Sequence, residues 1–499
     1  PNIMVSDDYN PNETCIYINP KNTKHIIAGA NLISYYFSYD GGQNWNRNPM
    51  SSTLGVYGDP CVIIDTAGYL YFFHLSNPAS GSWLDRIVCQ RSVNNGLSWN
   101  NGSGIGISAT KQQDKEWACV NPQNNEIYVT WTEFDSYGSA NPADKTNILF
   151  SKSSDQGLTW SDAIRINEIS GNCIDSDSTV EGAVPAVGPN GEIYTAWAGP
   201  AGLVFDRSLD GGLTWLDNDI FVSDIPGGWD YSVPGIFRAN GLPVTSCDLS
   251  NGPDRGNIYI NWTDERSNSN SGQDVDVWLV KSTDGGNTWT APRRVNDDAP
   301  GKQQFFTWMT IDQVTGYLWF VFYDRRNYDD TRTDVYMAVS KDGGESFENF
   351  KISETPFIPN ANVFFGDYTG VAAHNNIVRP IWTRLDTYYL SAWTAIIDPY
   401  FTGVKENEII PSATEQVYPN PFSESTVFSF KLKSTAKISL CVYDIFGHTV
   451  ATLIDNTVYQ PGKYIEQFDP GKYDLPSGVY YFSLTGSGIN KQRKIVYQK

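Results

Sequence analysis

Apolar residues in this chain come in short runs, and the runs fall into ordered groups. DPCVIID at 59–65, YLYFFHLS at 69–76 and RIVCQRS at 86–92 form one group, separated by turn-forming Gly, Asn, Pro and Asp. The same order returns as EWACVNP, EIYVTWTEF and NILFSKS, then as LPVTSCD, NIYINWTDER and DVWLVKS, and again as WMTID, YLWFVFYDRR and DVYMAVS. Runs this short, rich in aromatic and β-branched residues, predict strands rather than helices. No run reaches the length of a membrane span, and none has the form of a secretory apolar segment. The opening Pro1 reads as an already processed end.

Each group closes on one eight-residue phrase: SYDGGQNW at 38–45, SVNNGLSW at 92–99, SSDQGLTW at 153–160, SLDGGLTW at 208–215, STDGGNTW at 282–289 and SKDGGESF at 340–347. Their third positions, Asp40, Asn94, Asp155, Asp210, Asp284 and Asp342, stand 54 to 74 residues apart. That period fits four-stranded propeller blades. The phrase has the chemistry of a hairpin turn. A short polar side chain accepts from backbone N–H groups of its own turn, Gly supplies a positive φ, and the closing aromatic packs beneath. The six third-position residues are therefore expected to be structural.

A seventh unit, YTGVAAH, NIVRPIWTRLD and YYLSAWTAI, has no such phrase and no outer strand of its own. NIMVS at 2–6 can supply that strand, closing the ring and removing an exposed edge. Seven blades are expected, six being the alternative if the last unit is an extension.

Antiparallel order puts all the phrases on one face. Starts of first strands and ends of second strands gather on the other. The starts bring Glu13, Asp59, Glu116 with Asp114 and Lys115, Glu181, Gln304 and Asp367; the ends bring His74, Glu133, Asp135, Asp264-Glu265-Arg266, Asp324-Arg325-Arg326, Arg384 and Asp386. Asp59, Glu181, Asp324 and Asp367 are candidates for acid, base or nucleophile. Arg266, Arg325, Arg326 and Arg384, with Arg238 from an insert near 225–243, are candidate binders of a carboxylate or sulfate. The alternative is that neighbouring Asp and Arg neutralise one another.

The six phrases resemble the Asp box, or BNR repeat, of sialidase-like propellers. The resemblance implies a secreted protein that recognises acidic glycans or surface polysaccharide, and hydrolyses them where it is a true sialidase. Sialidases hold the substrate carboxylate with an arginine triad, use an Asp and a Tyr–Glu pair, and carry an early Arg-Ile-Pro phrase. Tyr323 and Tyr368 stand beside acids here, but Arg-Ile-Pro is absent and Arg47 is the single arginine among the first 85 residues. A non-catalytic adhesion, binding or assembly protein is the other class.

Residues 414–499 carry VYPNPF, FSFKLKSTAKISLCVYDIFGHTV, LPSGVYYFSL and a basic end, GINKQRKIVYQK. They resemble the type A sorting domain of type IX secretion. The resemblance implies a small β-sandwich read by that machinery, and a protein secreted from, or held on the outer surface of, a Gram-negative, Bacteroidota-type cell. The chain thus reads as all-β: a propeller at 1–404, a linker (KENEIIPSA) at 405–413 and the sandwich at 414–499.

Net charge of −21 speaks against nucleic acid and anionic lipid as partners. Seven cysteines match no metal-site spacing, and Cys173 with Cys247, in polar surroundings, is the pair most readily imagined as a disulfide. No cofactor is required, and a structural cation such as calcium is compatible with the acidic composition.

Overall fold

The computed structural model describes residues 1–267, 274–397, 414–432, 435–445, 447–486 and 489–499. It divides into two units, Pro1–Gly403 and Val404–Lys499. The expected linker at 405–413 lies outside the described residues.

The first unit contains seven four-stranded antiparallel sheets, the blades of a propeller. Six of them are continuous in sequence; the first runs Cys15–Ile18, Ile26–Ala30, Ser34–Ser38, Asn46–Pro49. The seventh takes Gly370–His374, Ile377–Asp386 and Tyr389–Ala395 from the end of the unit. Its outermost strand is Asn2–Ser6, paired with the last of these. One end of the unit is thereby hydrogen-bonded to the other, and the ring has no loose blade.

Second strands such as Leu70–Leu75 and Leu318–Asp324 are buried along their whole length. Each blade is covered on both faces by its neighbours, so these strands read as unbroken apolar runs and not as alternation. The largest buried side chains include Trp131, Trp197 and Trp262, one each in blades three, four and five.

The second unit is a sandwich. Thr414–Tyr418, Thr426–Leu432 and Gly462–Phe468 form one sheet, and Thr449–Tyr459, Ala436–Tyr443, Gly478–Gly486 and Ile489–Tyr497 the other. Phe428, Phe430, Leu440 and Phe482 fill the space between them. The Tyr-Pro-Asn-Pro-Phe opening acquires a physical role here. The Asn420 side chain donates to the carbonyl of Lys494 at 2.8 Å and accepts from the N–H of Val496 at 2.8 Å, holding the last strand, while Phe422 enters the core.

The expected Cys173–Cys247 disulfide does not form: all seven cysteines are free. Cys247 is not in a loop but ends the inner strand Val244–Cys247 of blade five, whereas Cys173 lies buried in the loop that follows blade three.

Candidate functional site

The box phrases fold as turns between third and fourth strands. In the first, Ser38 Oγ donates to Asp40 Oδ1 at 2.8 Å and accepts from the N–H of Gly42 at 2.9 Å. Asp40 Oδ1 also accepts from the N–H groups of Gln43 and Asn44. Asp155, Asp210, Asp284 and Asp342 repeat the pattern, and Asn94 keeps most of it. Bonds from Thr214 and Thr288 hold Asp210 and Asp284 at a pKa of about 2. The glycines at the fifth position of the phrase do more than supply φ: a Cβ at Gly212 or Gly286 would run into Phe150 or Phe205 of the preceding blade. Both oxygens of these carboxylates accept bonds from their own turn, which accounts for them as staples of the hairpin.

The opposite face is organised by one backbone device. Six of the seven blades have a left-handed residue at the entry of their inner strand: Glu13 and Asp59 two residues before it, Gly366 four before, and Lys115, Gly182 and Phe306 within its first four residues. The pairing register slips there in blades three, four and six. Gly adopts this conformation without strain. At Glu13, Asp59 and Lys115 a charged residue holds it instead, which costs about 1 kcal/mol or more each. The kink turns these three side chains together.

Lys115 Nζ lies 2.8 Å from Asp367, 3.0 Å from Asp59 and 3.3 Å from Glu13. One ammonium therefore joins blades one, two, three and seven. Asn31 bridges the same groups, donating to Glu13 and accepting from the N–H of Asp59 at 2.7 Å. From the insert, Arg238 donates to Asp367 at 2.8 Å and to Asp175 at 3.0 Å, and Asn240 donates to the Asp367 carbonyl. Glu181 and Asp114 are close enough to feel these charges.

Protonation differs sharply inside this cluster. Burial pushes Asp367 up, but Lys115 and Arg238 outweigh it and hold the carboxyl well below the usual range. Burial raises Glu13, Glu181 and Glu116, and raises Asp114 to about 8, with repulsion from Asp59 adding to Asp114, Glu13 and Glu116. Both carboxyl oxygens of Glu116 and one of Glu181 are buried without a hydrogen-bond partner, which fits protonated acids. Ionised and neutral carboxyls thus sit side by side, the arrangement that acid–base chemistry requires. Among the described residues no group of three or more His, Cys, Asp or Glu side chains is arranged to hold a metal ion; the centre of the cluster is filled by the Lys115 ammonium.

An aromatic margin leads from the surface to this cluster. Trp83, 41% exposed, meets Tyr57 edge-on at 6.0 Å and Tyr137 edge-on at 5.8 Å. The Tyr137 hydroxyl donates to Asp175 at 2.6 Å, and Asp175 accepts from Arg238. On the other side of Arg238, Phe237 and Phe364 meet edge-on, and the guanidinium lies over Phe364.

The sequence-expected residues divide. Asp59 and Asp367 share Lys115, and Glu181 adjoins them. Asp324 is elsewhere, bonded to Arg326 and Gln304. Among the arginines, Arg238 alone reaches the axial cluster. Arg266 is held by Asp264, Arg326 by Asp324 and Asp297, and Arg384 by Asp386. Arg325 is buried against Phe305 and bonded to Thr333. The three self-paired arginines carry a readable signal, each standing two residues from its Asp: Arg384 and Asp386 share one side of a strand, while Asp264 and Asp324 end theirs and accept from the backbone N–H of Arg266 and Arg326 in the turn that follows. Lys115, Glu13, Asp175 and Tyr137 are the members that composition and alternation did not single out as site residues. The first two stood on the expected face by their place in the sequence; the left-handed kink turns their side chains to each other.

Residues 416–498 match the family model described as Secretion system C-terminal sorting domain. No curated protein matches the chain in sequence. Among solved structures, one titled as a polysaccharide lyase of family PL25, an ulvan lyase bound to -[GlcA(1-4)Rha3S]-, is 12% identical with a TM-score of 0.50, covering 80% of this chain and 96% of its own. The Hadza microbial sialidase Hz136 is 14% identical with a TM-score of 0.43, covering 74% and 73%. The NanB sialidase of Streptococcus pneumoniae is 9% identical with a TM-score of 0.43, covering 76% and 82%. At these identities the likeness is one of fold.

Proposed function

For a chain that carries a type IX sorting domain at residues 416–498 behind a sialidase-like propeller, and so is handled as an exported or cell-surface protein, we propose that the propeller binds a glycan on the face opposite the boxes. The observation that carries the proposal is the path from exposed Trp83, through Tyr137, Asp175 and Arg238, to the Lys115 cluster. Flat aromatic rings stack on sugar faces, and carboxylates and an arginine beside them bond to sugar hydroxyls. The ulvan lyase that shares the fold carries a glycan of glucuronate and sulfated rhamnose, a precedent on this architecture.

The choice of sugar follows from the charges. Acidic glycans were expected from five arginines, but three are neutralised by their own acids and one is buried. Arg238 is left as the guanidinium at hand for a carboxylate or sulfate, and its bonds to Asp367 and Asp175 must then be shared. The proposal is therefore a glycan held mainly through ring faces and hydroxyls, with at most one acidic group at Arg238.

A second reading, cleavage of that glycan, is favoured by the opposed proton affinities of Glu181 and Asp367, with Asp59 alongside. Asp324 has no part in it. One panel tests both readings. Purified protein is titrated with neutral, sialylated and uronic-acid oligosaccharides while released reducing ends are followed. Binding that Trp83→Ala abolishes is expected. Turnover that Glu181→Gln removes while binding persists supports cleavage; binding without product from any sugar leaves a non-catalytic binder. Failure to bind any member of the panel refutes the proposal.

A further inference from the structure

The inner strands of the seven blades also enclose a cavity of about 520 Å³ on the other side of the ring. Three rings close its upper end: Trp117 and Trp308 at 6.0 Å, Trp117 and Tyr368 at 5.9 Å, and Trp308 and Tyr368 at 6.1 Å. Lys115 lies above this plug, 5.9 Å from the Tyr368 ring. The cavity is thus a blind pit, separated from the charged cluster and opening among the first-to-second strand turns, on the face that carries the boxes. No box residue lines it.

Its walls carry no carboxylate, ammonium or guanidinium, and the one imidazole is that of His374, at the end of the inner strand of blade seven. Burial pushes the Cys15 thiol up and Cys61 and Tyr17 up to about 12, so these groups stay neutral. In inner strands that are otherwise buried, Cys15, Tyr17, Cys119, Ser246, Trp308 and Thr310 keep partial exposure, and they keep it by facing this space. The Ser246 and Thr310 hydroxyls make no hydrogen bond to another described residue. Its volume lies within the range of small-molecule sites.

We infer that this pit is a second binding site, independent of the glycan face, for an uncharged apolar molecule with a ring-bearing body and one or two hydrogen-bonding oxygens. The body stacks on the Trp117–Trp308–Tyr368 floor, and an oxygen is met by Ser246 or Thr310. Charged ligands are disfavoured, because no carboxylate, ammonium or guanidinium in the wall offsets the loss of their hydration.

The test uses the full-length protein and the neutral fluorophore N-phenyl-1-naphthylamine. Saturable one-site binding is expected, with transfer of emission from Trp117 and Trp308. In the wild type, bound probe should slow hydroxyl-radical labelling of Cys15 and Cys119, which needs no thiolate, by about five-fold or more, while Cys441 of the sorting domain, outside the pit, labels at an unchanged rate. Ser246→Trp, which fills the pit, should weaken the probe about ten-fold, roughly the loss of one good apolar contact set, and leave glycan binding intact. Absence of saturable binding, or binding that neither protects Cys15 and Cys119 nor responds to Ser246→Trp, overturns the inference. Should Ser246→Trp fail to fold, the labelling result on the wild type decides alone.

Discussion

Replacing Lys115 by Met keeps the stem length and the kinked backbone but removes the one ammonium that faces Glu13, Asp59 and Asp367. Lys115 is 5% exposed, and these carboxyls are similarly shielded, so solvent does little to screen their loss of a partner. Removing one member of a buried ionic group leaves uncompensated charge and costs about 3–5 kcal/mol. An unfolding entropy of about 2.1 cal/mol/K per residue, over a unit the size of Pro1–Gly403, turns this into a drop of about 4–6 °C in Tm at pH 7. Scanning calorimetry of full-length protein reads it directly. Acidification supplies the control. Burial already raises Glu13, and without Lys115 the neighbouring carboxyls take up protons more readily still. The gap between variant and wild type should therefore shrink at about pH 4.5. A second change, Asp367→Asn, should recover part of the loss at pH 7. An unchanged Tm, or a gap as wide in acid as at neutrality, would falsify the view that Lys115 is the ionic pin of the ring.

Further outcomes are open to measurement. Glu13, Asp114, Glu116 and Glu181 have folded pKa values raised above the unfolded range near ~4, so their stabilising contribution is complete in acid and lost as pH rises, through about 8 for Asp114. Asp367 runs the other way and loses its contribution only in strong acid. Tm is accordingly expected to peak at mildly acid pH and fall towards pH 9; a steady rise from pH 6 to 9 contradicts this. Asp155→Ala, in a box, should lower Tm by roughly a degree or two, as a lost turn bond does, and leave glycan affinity unchanged. Deleting 414–499 should leave the propeller's melting and binding as they were while the protein accumulates in the periplasm, and normal export of the truncated chain would remove the sorting assignment.

Much of the fold was legible because it is written in local chemistry. Each box specifies its own turn, six turns at blade spacing mark six blades, and the apolar runs after the last box mark the seventh. NIMVS at 2–6 was predicted to close the ring because the last unit lacked an outer strand, and Asn2–Ser6 does so. The site was only partly legible. Glu13, Asp59, Glu181 and Asp367 stood at the right ends of the right strands. Lys115 was placed on that face beside Asp114 and Glu116 but given no role, because strand alternation breaks between Asp114 and Trp117, where the pairing register slips. The arginines misled because Asp264 and Asp324 end their strands and the chain turns back there, so that the backbone N–H and the guanidinium of Arg266 and Arg326 both fold onto the acid two residues before. Tyr137, Asp175 and Arg238 lie in loops and an insert that converge only in three dimensions.

The central claim, that a glycan lies on the face opposite the boxes, is tested most directly by hydroxyl-radical footprinting of the full-length protein with and without its best-bound oligosaccharide. Protection is predicted at Trp83, Tyr57 and Phe237, with the box tryptophans Trp160, Trp215 and Trp289 unchanged. Protection centred on those box tryptophans, or none on the Trp83 margin, would contradict the account.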